Sequence, residues 1–305
     1  MKHVFVVNPA AGKGEGAKSK LPMVQATLLN SGLDYEIHRT LSKGETGEYV
    51  KRIAAKGEPV RFYACGGDGT VNDVLCGMIG FPNAELAVIP RGTGNDFVRN
   101  FTNQSFFSDI AKQIAGSSVP CDVIKMNDTY CLNMANVGAD CDVVVKSIEL
   151  KEKTGVSGSA AYLKAALQIL PQAPSYKMSI QMDGGEEEDR DVLLAAVGNG
   201  IFCGGGFKSC PTSSLNDGLM DVCVVKPVPK YKLIPLLLKY RAGKHLVSPA
   251  AAPYVDYFQC KSFTLKPKQL VHVSIDGEVN EFKPTHFEII PGAIKLSIPL
   301  GSKML

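Results

Sequence analysis

Three glycine-rich segments of the chain each follow a short apolar run and precede a stretch with helical spacing. They span residues 8–19, 66–70 and 92–97. Backbone N–H groups at the start of a helix attract anions, and glycine lets the backbone approach a phosphate closely. Phosphate binding is therefore the first chemistry that these segments predict.

The first segment comes close to two nucleotide-binding fingerprints. The run Gly12-x-Gly14-x-x-Ala17 fits the dinucleotide fingerprint in its alanine form, and residues 12–19 miss the P-loop because Ala17 replaces a glycine. However, Asn8-Pro9 lengthens the turn, and no acid follows the second predicted strand as a dinucleotide site would require. An ordinary glycine-rich connection stays open for this segment taken alone.

The second segment reads Gly-Gly-Asp-Gly-Thr from Gly66 to Thr70 and places one carboxylate, Asp68, among glycines. A carboxylate repels phosphate unless Mg²⁺ lies between them or the carboxylate handles a proton. Asp68 is therefore a candidate for one of those two roles. Asn72 and Asp73 follow at the helix start, where short polar side chains cap or bind. The alternative is a plain Asp-Gly turn.

The third segment reads Gly-Thr-Gly-Asn-Asp-Phe from Gly92 to Phe97 and repeats this arrangement. Thr93 can donate to a phosphate oxygen, whereas Asn95 and Asp96 can hold neighbouring loops or a substrate hydroxyl. Capping of the following helix is the alternative expected for one of these two residues.

The elements that must position these segments alternate along the first 120 residues. The predicted strands are residues 4–7, 35–38, 60–65 and 85–89. The predicted helices are residues 17–31, 45–55 and a stretch from about 71. This alternation implies a mostly parallel sheet covered by helices, which binds ligands at the carboxyl ends of its strands. All three glycine-rich segments lie at such ends.

From residue 123 onward, strand patterns separated by turns predominate, and only residues 160–170 and 233–240 have a clear helical pattern. The charged run at residues 186–191 is expected to be a solvated hairpin tip, and residues 288–290 and 294–298 are expected to be separate strands. The chain thus divides into an α/β domain (1–122) and a β-rich domain (123–305), the second a β-sandwich.

Composition excludes several classes of protein. The 305 residues carry 33 Lys and Arg against 30 Asp and Glu, whereas a nucleic-acid binder needs a strong basic excess. No apolar run approaches the roughly 18 residues that span a bilayer, and the amino terminus does not fit a signal peptide. The nine cysteines form no CxxC pair, which favours reduced thiols in a cytosolic protein over a metal cluster or disulfides.

The three segments together resemble the diacylglycerol kinase-like family of lipid kinases, which includes bacterial diacylglycerol, sphingosine and ceramide kinases. The Gly-Thr-Gly-Asn-Asp-Phe motif discriminates this family, since Gly-Gly-Asp-Gly also occurs in NAD kinases and phosphofructokinases. Residues 215–222 and 276–278 match the family as well. The resemblance implies a three-layer α/β nucleotide-binding domain and a β-sandwich domain, with the site between them and the last strand returning to the first domain.

The resemblance also implies roles for individual residues. Those matching ATP contacts are Asn8, Pro9, Ala10, Ala11, Gly12, Thr40, Gly66, Gly67, Asp68, Gly69, Thr70, Val71, Asn72 and Thr93. Those supporting the third segment are Gly92, Gly94, Asn95 and Asp96.

For catalysis, the resemblance implies that Glu278 is the general base for the lipid hydroxyl and that Asp122 is a supporting acid at the domain junction. Asp68 matches an essential carboxylate that binds Mg²⁺ through water or shares the role of base. From spacing alone, residues 276–278 fit an ordinary Asp-Gly hairpin turn better.

The resemblance further implies a structural Mg²⁺ held by Ser214, Asp217 and Leu219. The family commonly has lysine in place of Ser214 and uses its backbone carbonyl, which a serine can also supply. A plain turn at Asp217-Gly218 is the alternative.

Phosphate segments, acids and the lack of a nucleophilic His or Cys arrangement together favour phosphoryl transfer. The preferred function is an ATP- and Mg²⁺-dependent lipid kinase that transfers the γ-phosphate to diacylglycerol, giving phosphatidic acid. The alternatives are an NAD kinase-like enzyme with a soluble substrate, an NAD(P)-binding oxidoreductase and a catalytically silent nucleotide-binding regulator. The sequence identifies neither the acceptor lipid nor the oligomeric state, and a homodimer stays open.

A lipid substrate requires contact with a membrane, and one segment suits an anionic surface. Residues 226–255 contain no acid and surround the apolar run 233–238. Their six basic residues are Lys226, Lys230, Lys232, Lys239, Arg241 and Lys244. A cytoplasmic protein in peripheral contact with the inner face of the membrane is expected. The alternative is an ordinary amphipathic helix with a solvated face. Residues 155–163 can frame an acyl-chain pocket or form a core helix.

Overall fold

The computed structural model describes residues 1–9, 32–40, 44–92, 94–155, 159–172, 175–281 and 283–305. The predicted helix at residues 17–31 and most of the first glycine-rich segment lie outside these ranges. The chain divides into two compact units. Unit 1 comprises Met1–Asp122 and Pro291–Leu305, and unit 2 comprises Val123–Ile290.

Unit 1 contains a parallel sheet with the strand order β2-β1-β3-β4. Its strands are β1 (Lys2–Val7), β2 (Tyr35–Arg39), β3 (Val60–Gly66) and β4 (Ala84–Pro90). Its helices are α1 (Glu45–Ala54), α2 (Asp68–Met78) and α3 (Ile110–Ile114), with 3₁₀ turns at Phe97–Asn100 and Gln104–Ser108. Strand β5 (Ser117–Met126) then crosses the unit boundary.

The central strands of this sheet are buried along their length, as parallel strands covered on both faces are. All seven residues of β3 are buried. Tyr63 on β3 stacks on Phe5 of β1, with ring centroids 4.2 Å apart. This packing fixes the edge at which the strands end and the glycine-rich segments begin.

Unit 2 is a β-sandwich of two antiparallel sheets. One has the order β14-β13-β10-β7-β16-β17, and the other contains β18, β15, β8 and β9. The strands are β6 (Thr129–Cys131), β7 (Met134–Gly138), β8 (Tyr176–Met182), β9 (Glu188–Val192), β10 (Leu194–Gly198), β11 (Phe202–Cys203), β12 (Phe207–Lys208), β13 (Met220–Val225), β14 (Val255–Cys260), β15 (Ser262–Pro267), β16 (His272–Ile275), β17 (Glu278–Glu281) and β18 (Thr285–Ile298). Val137 and Val222 of the first sheet share one core cluster with Phe263 and Phe287 of the second.

The helices of unit 2 are α4 (Ala139–Thr154), α5 (Ser159–Ile169) and α6 (Lys230–Arg241), and 3₁₀ turns lie at Leu170–Gln172 and Ala252–Tyr254. The sequence prediction lacked α4, because the β-branched run at residues 143–145 favours a strand. In the structure, Val143 and Leu150 are buried. Glu149 pairs with Lys146 at 2.7 Å and with Lys153 at 2.6 Å, as helical spacing permits.

Strand β18 returns the chain to unit 1, as the family resemblance implied for the last strand. Its first residues pair antiparallel with β15 in unit 2, and Lys295–Ser297 pair parallel with β4 in unit 1. Residues 288–290 and 294–298 therefore belong to one strand, not two. Residues 291–305, placed in the second domain by the linear division, group with unit 1.

The charged run at residues 186–191 is only partly a hairpin tip. Its last four residues lie in β9, where Asp189 pairs across to Ser179 and Arg190 to Met178 of β8. The run was predicted as a turn because charged residues are depleted in strands. An edge strand tolerates them, since one side of it faces no neighbouring strand.

Candidate active site

Three strand ends of unit 1 come together through hydrogen bonds at the carboxyl edge of the sheet. The backbone N–H of Asn8 donates to the carbonyl of Cys65 at 3.2 Å, and that of Thr40 donates to the carbonyl of Val7 at 3.0 Å. The Asn8 amide Nδ2 donates to Thr70 Oγ1 at 3.1 Å. The start of the first segment, Thr40 and the second segment are therefore neighbours. Ala10, Ala11 and Gly12 lie outside the described residues.

The second segment starts helix α2 three residues earlier than the sequence predicted. Gly67 has an extended backbone, and the helix begins at Asp68, so that Asp68, Gly69 and Thr70 form its first turn. The first N–H groups of an α-helix have no acceptor within the helix and carry part of its positive pole. The segment predicted as a loop is thus itself a helix terminus of the kind that attracts anions.

Burial limits what two of the predicted ATP-binding residues can contact. The side chains of Thr70 and Val71 are 4% and 3% exposed. Thr70 Oγ1 accepts the hydrogen bond from the Asn8 amide, as described above, and Val71 is buried as an apolar side chain. These two positions can therefore present little more than backbone to a nucleotide.

Glycine is required where the second segment packs against itself and against the third. A Cβ on Gly66 would overlap with the side chain of Thr70. A Cβ on Gly92 would lie 2.8 Å from the Cα of Gly67, closer than real Cβ atoms approach. The backbone N–H of Arg91 also donates to the Gly66 carbonyl at 2.7 Å. The two segments therefore touch backbone to backbone.

Substituting Gly66 with alanine is expected to lower the free energy of unfolding by about 2–3 kcal/mol, because the added methyl overlaps with a side chain that is itself buried. Thermal unfolding followed by circular dichroism measures the change. Gly47→Ala is the matched control, since a Cβ there would meet nothing closer than the Asp73 carbonyl at 3.6 Å. Within helix α1 that change should stabilise by up to about 1 kcal/mol. An unchanged melting temperature for Gly66→Ala would contradict the prediction.

Asn95 closes the third segment rather than capping a helix. Its side-chain Oδ1 accepts from the Gly92 N–H at 2.8 Å, and its Nδ2 donates to the Gly92 carbonyl at 2.7 Å. Its backbone is left-handed, with φ of 49°, a conformation that asparagine tolerates better than most residues. The following Phe97–Asn100 turn has no side-chain cap from Asp96, so the capping alternative is wrong. Thr93 lies outside the described residues.

Two carboxylates converge beside Gly94. The Oδ2 atoms of Asp68 and Asp96 each lie 3.4 Å from the position that a Gly94 Cβ would occupy. Arg99 pairs with Asp96, with Nε 3.2 Å from Oδ1, and its guanidinium also donates to the Gly94 carbonyl at 3.4 Å. The sequence analysis did not single out Arg99. Its spacing of three residues from Asp96 in a helical stretch was the available signal.

Asp122 is buried at the point where the chain leaves unit 1. Its side chain is 2% exposed, and Oδ1 accepts from the backbone N–H of Gly292 at 2.7 Å. Within unit 1 this carboxylate therefore fastens the returning strand β18 to the middle of β5. That is a positioning contact.

In unit 2, residues 276 and 277 form the two-residue turn of the β16–β17 hairpin, as the spacing predicted. Ile275 pairs with Glu278, and Asp276 and Gly277 have φ of 46° and 90°. Left-handed backbone at both positions is characteristic of a type I′ turn, which Asp-Gly favours. Glu278 begins β17 with an exposed side chain.

The buried carboxylate of Asp276 anchors this turn by hydrogen bonds to the backbone of residues 132–134, a role that the sequence analysis did not predict. This side chain is 8% exposed and accepts the backbone N–H groups of Leu132 at 2.9 Å, Asn133 at 2.9 Å and Met134 at 3.1 Å. Cys131 Sγ donates to it at 3.3 Å. A residue quoted only as part of a motif is thus the anchor that orients Glu278.

The segment predicted to hold a structural metal is a tight loop. The Asp217 Oδ1 accepts the Leu219 N–H at 3.0 Å, the Ser214 hydroxyl donates to Asn216 Oδ1 at 3.2 Å, and Gly218 has φ of 75°. The oxygen atoms that this loop could offer to a metal belong to a carboxylate and to backbone carbonyls, the ligands that Mg²⁺ and Ca²⁺ prefer. Within the described ranges, no three His, Cys, Asp or Glu side chains group as a metal site.

The thiol nearest the phosphate segments is chemically inert. Cys65 is the penultimate residue of β3 and is 1% exposed, and burial raises the pKa of its thiol to about 12. A thiol that stays protonated at neutral pH is neither a nucleophile nor a metal ligand. This agrees with a reaction that needs no covalent enzyme intermediate.

Two domain families match the chain. The diacylglycerol kinase catalytic domain matches residues 2–126, and the YegS C-terminal NAD kinase beta sandwich-like domain matches residues 135–298, more than half of the chain. A Pseudomonas putida protein named probable lipid kinase YegS-like is 30% identical over 279 residues, covering 91% of this chain and 90% of that protein. The chain belongs to the YegS and diacylglycerol kinase family.

The kinase is similar to other members along nearly its whole length. It is 29% identical over 304 residues to a protein of Staphylococcus carnosus named diacylglycerol kinase, covering 98% of this chain and 95% of that protein. The crystal structure of a diacylglycerol kinase from Bacillus anthracis matches with a TM-score of 0.74 and 26% identity, covering 97% of this chain and 96% of that one.

Membership of this family makes the kinase a phosphotransferase and implies the use of ATP. It also favours this reading over the oxidoreductase that the Gly12-x-Gly14-x-x-Ala17 run had left open. Among the helices of its described ranges, none is both long enough and apolar enough to cross a membrane.

Proposed function

We propose that this kinase transfers the γ-phosphoryl group of ATP to the free hydroxyl of diacylglycerol and releases phosphatidic acid and ADP. The observation that carries the proposal is the start of helix α2. There the first-turn backbone, two glycines and Asp68 face the same edge as Asn8 and Thr40. The names of the relatives support the choice of a lipid acceptor.

In the proposed reaction, the first-turn N–H groups of α2 and the glycine backbone of the second and third segments bind the phosphates of ATP. Glu278 accepts the proton of the lipid hydroxyl as its oxygen bonds to the γ-phosphorus and the bond to the β-phosphate oxygen breaks. The Asp276 anchor and the type I′ turn hold Glu278 at a fixed place in its own unit. Asp122 positions β18.

Two groups of residues are proposed to hold Mg²⁺. Asp68 supplies a carboxylate at the phosphate segment, and Asp217 with the backbone of Ser214 and Leu219 supplies oxygens at a separate structural site in unit 2. Bound Mg²⁺ neutralises the charge of the phosphates. Magnesium-dependent protection of the 214–219 loop against hydrogen exchange, lost in Asp217→Asn, tests the structural site without an activity assay.

The acceptor is tested by incubating the protein with radiolabelled ATP and, in turn, diacylglycerol, sphingosine, ceramide, phosphatidylglycerol and NAD. Label in diacylglycerol alone supports the proposal. Label in another lipid would show that the protein is a lipid kinase with a different acceptor. Label in NAD alone would overturn the proposal in favour of the soluble-substrate alternative.

Asp68→Asn is expected to lower turnover at least about 100-fold with the fold intact, because an amide neither neutralises Mg²⁺ nor accepts a proton. Steady-state kinetics with the preferred acceptor measure the effect. Glu48→Gln, which removes an exposed acid from helix α1 of the same unit, is the control and should turn over like wild type. Near-normal turnover by Asp68→Asn would remove Asp68 from the mechanism.

A further inference from the structure

Helix α6 carries apolar side chains on two separate faces. On its inner face, Leu233 is 8% exposed, and Leu237 and Tyr240 pack against the core of unit 2. Its other large apolar residues are in solvent, with Tyr231 79%, Ile234 54% and Leu238 53% exposed. An amphipathic surface helix of a globular protein needs only the first of these faces. The second face is therefore without a partner among the described residues.

The exposed apolar residues form one stripe. At about 100° per residue, positions 231, 234 and 238 fall within an arc of about 60° of the helix. The inner residues 233, 237 and 240 fall within another arc of about 60°, centred about 120° around the helix from the first. The stripe therefore runs along almost two turns, to one side of the face that packs on the core of unit 2.

Basic side chains border the stripe on both sides. Lys230 and Arg241 fall about 80–100° to one side of Tyr231, and Lys232 and Lys239 fall about as far to the other. Lys232 Nζ donates to the Tyr254 hydroxyl at 3.1 Å and Lys239 Nζ to the Ser248 hydroxyl at 2.6 Å, so both retain their charge unpaired by a carboxylate in these contacts. Lys226 lies outside the helix and pairs with Asp256 at 2.8 Å.

This combination selects one kind of occupant. An apolar stripe between two basic rows is the pattern of a helix that lies in the plane of an anionic bilayer, with its apolar side chains among the acyl chains and its cations at the headgroups. A symmetric contact with a second copy would oppose basic rows to basic rows, and residues 226–255 offer no acid to relieve the repulsion. The same lack of acids favours a negatively charged surface over a zwitterionic one.

We propose that α6 is the membrane-docking helix of this protein and binds anionic lipid through the Tyr231, Ile234 and Leu238 stripe and its basic borders. The two helix faces have separate roles, because one packs on the core of unit 2 and the other contacts the membrane. Docking would hold the enzyme at the surface that carries a lipid acceptor. It requires neither ATP nor turnover, so it stands or falls apart from the proposed reaction.

The test is sedimentation with vesicles of phosphatidylcholine and phosphatidylglycerol in equal parts, without ATP. The triple variant Tyr231→Gln/Ile234→Gln/Leu238→Gln is expected to bind at least about tenfold more weakly than wild type, since three apolar groups no longer enter the bilayer. The matched control Leu270→Gln/Leu300→Gln/Leu305→Gln replaces three exposed leucines elsewhere and should bind like wild type. Circular dichroism checks that both variants keep the fold.

A second variant separates charge from apolar insertion. Lys230→Gln/Arg241→Gln removes the two cations on one side of the stripe and is expected to weaken binding about fivefold for each at low salt. It should not change the weaker binding to pure phosphatidylcholine vesicles. Equal losses on both vesicle types would overturn the assignment of these cations to anionic headgroups.

Two further measurements complete the test. Turnover of a short-chain diacylglycerol dissolved in water should be the same in the triple variant and wild type, because docking is then bypassed. Wild-type vesicle binding by the triple variant would overturn the proposal. So would analytical ultracentrifugation showing a wild-type dimer and a monomeric triple variant, since the stripe would then be covered by a second copy.

Discussion

Replacing Glu278 with glutamine is expected to lower turnover by about 10²–10⁴-fold, the range that a positioned general base contributes, while the protein stays folded. The side chain is exposed at the start of β17, and the amide has nearly the same shape, so stability should not change. An amide cannot take the proton of the acceptor hydroxyl. The loss should therefore appear in the turnover number at saturating ATP and acceptor.

The hairpin provides its own control for this experiment. Glu281 ends the same strand and is also exposed, but side chains three positions apart on a strand point to opposite faces. Glu281→Gln should thus keep wild-type turnover. Equal losses in the two variants would point to strand β17 as a whole, and wild-type turnover by Glu278→Gln would exclude Glu278 as the base.

The second large effect is expected from Asp276→Asn, which should lower the free energy of unfolding by about 3 kcal/mol. The buried carboxylate accepts three backbone N–H groups, and an amide must turn an NH₂ group toward at least one of them. A buried donor left without an acceptor costs about 1–3 kcal/mol, and the remaining hydrogen bonds lose their charge assistance. Denaturant unfolding measures the loss.

Asp128→Asn is the matched control for stability, because Asp128 is an exposed aspartate next to the β5–β6 turn. It should change the free energy of unfolding by no more than about 0.5 kcal/mol. Turnover of Asp276→Asn should fall as well, since the turn that orients Glu278 loses its anchor. A variant as stable as wild type would show that the three N–H groups find other acceptors.

Much of the fold follows from local patterns in the sequence. Short buried strands alternating with helices predict the parallel sheet, and the geometry of such sheets brings Asn8, Thr40 and Gly66 to one edge. The Asp-Gly pair at residues 276–277 predicts the hairpin turn, because aspartate and glycine tolerate the left-handed backbone that this turn requires. The roles of Glu278, Asp122 and the 214–219 loop came from resemblance and stay predictions.

Where local preference and packing conflict, the sequence prediction was wrong. The three valines of α4 favour a strand, yet the segment is a helix because burial of Val143 and Leu150 and the pairs of Glu149 outweigh that preference. The start of α2 was placed three residues late for a similar reason. The glycines of this segment predict a loop. In the structure Gly67 is extended and Thr70 is buried, and the helix begins at Asp68.

The sequence alone predicted three candidate phosphate segments and determined the Asp-Gly turn at residues 276–277, because both depend on residues adjacent in the chain. Only the tertiary structure decided which of these segments touch and what holds them. Gly67 lies against Gly92, Asp276 binds N–H groups 142–144 residues earlier, and β18 leaves one unit for the other. These contacts join residues that are far apart in the chain, and a local sequence pattern does not specify which distant elements pack together.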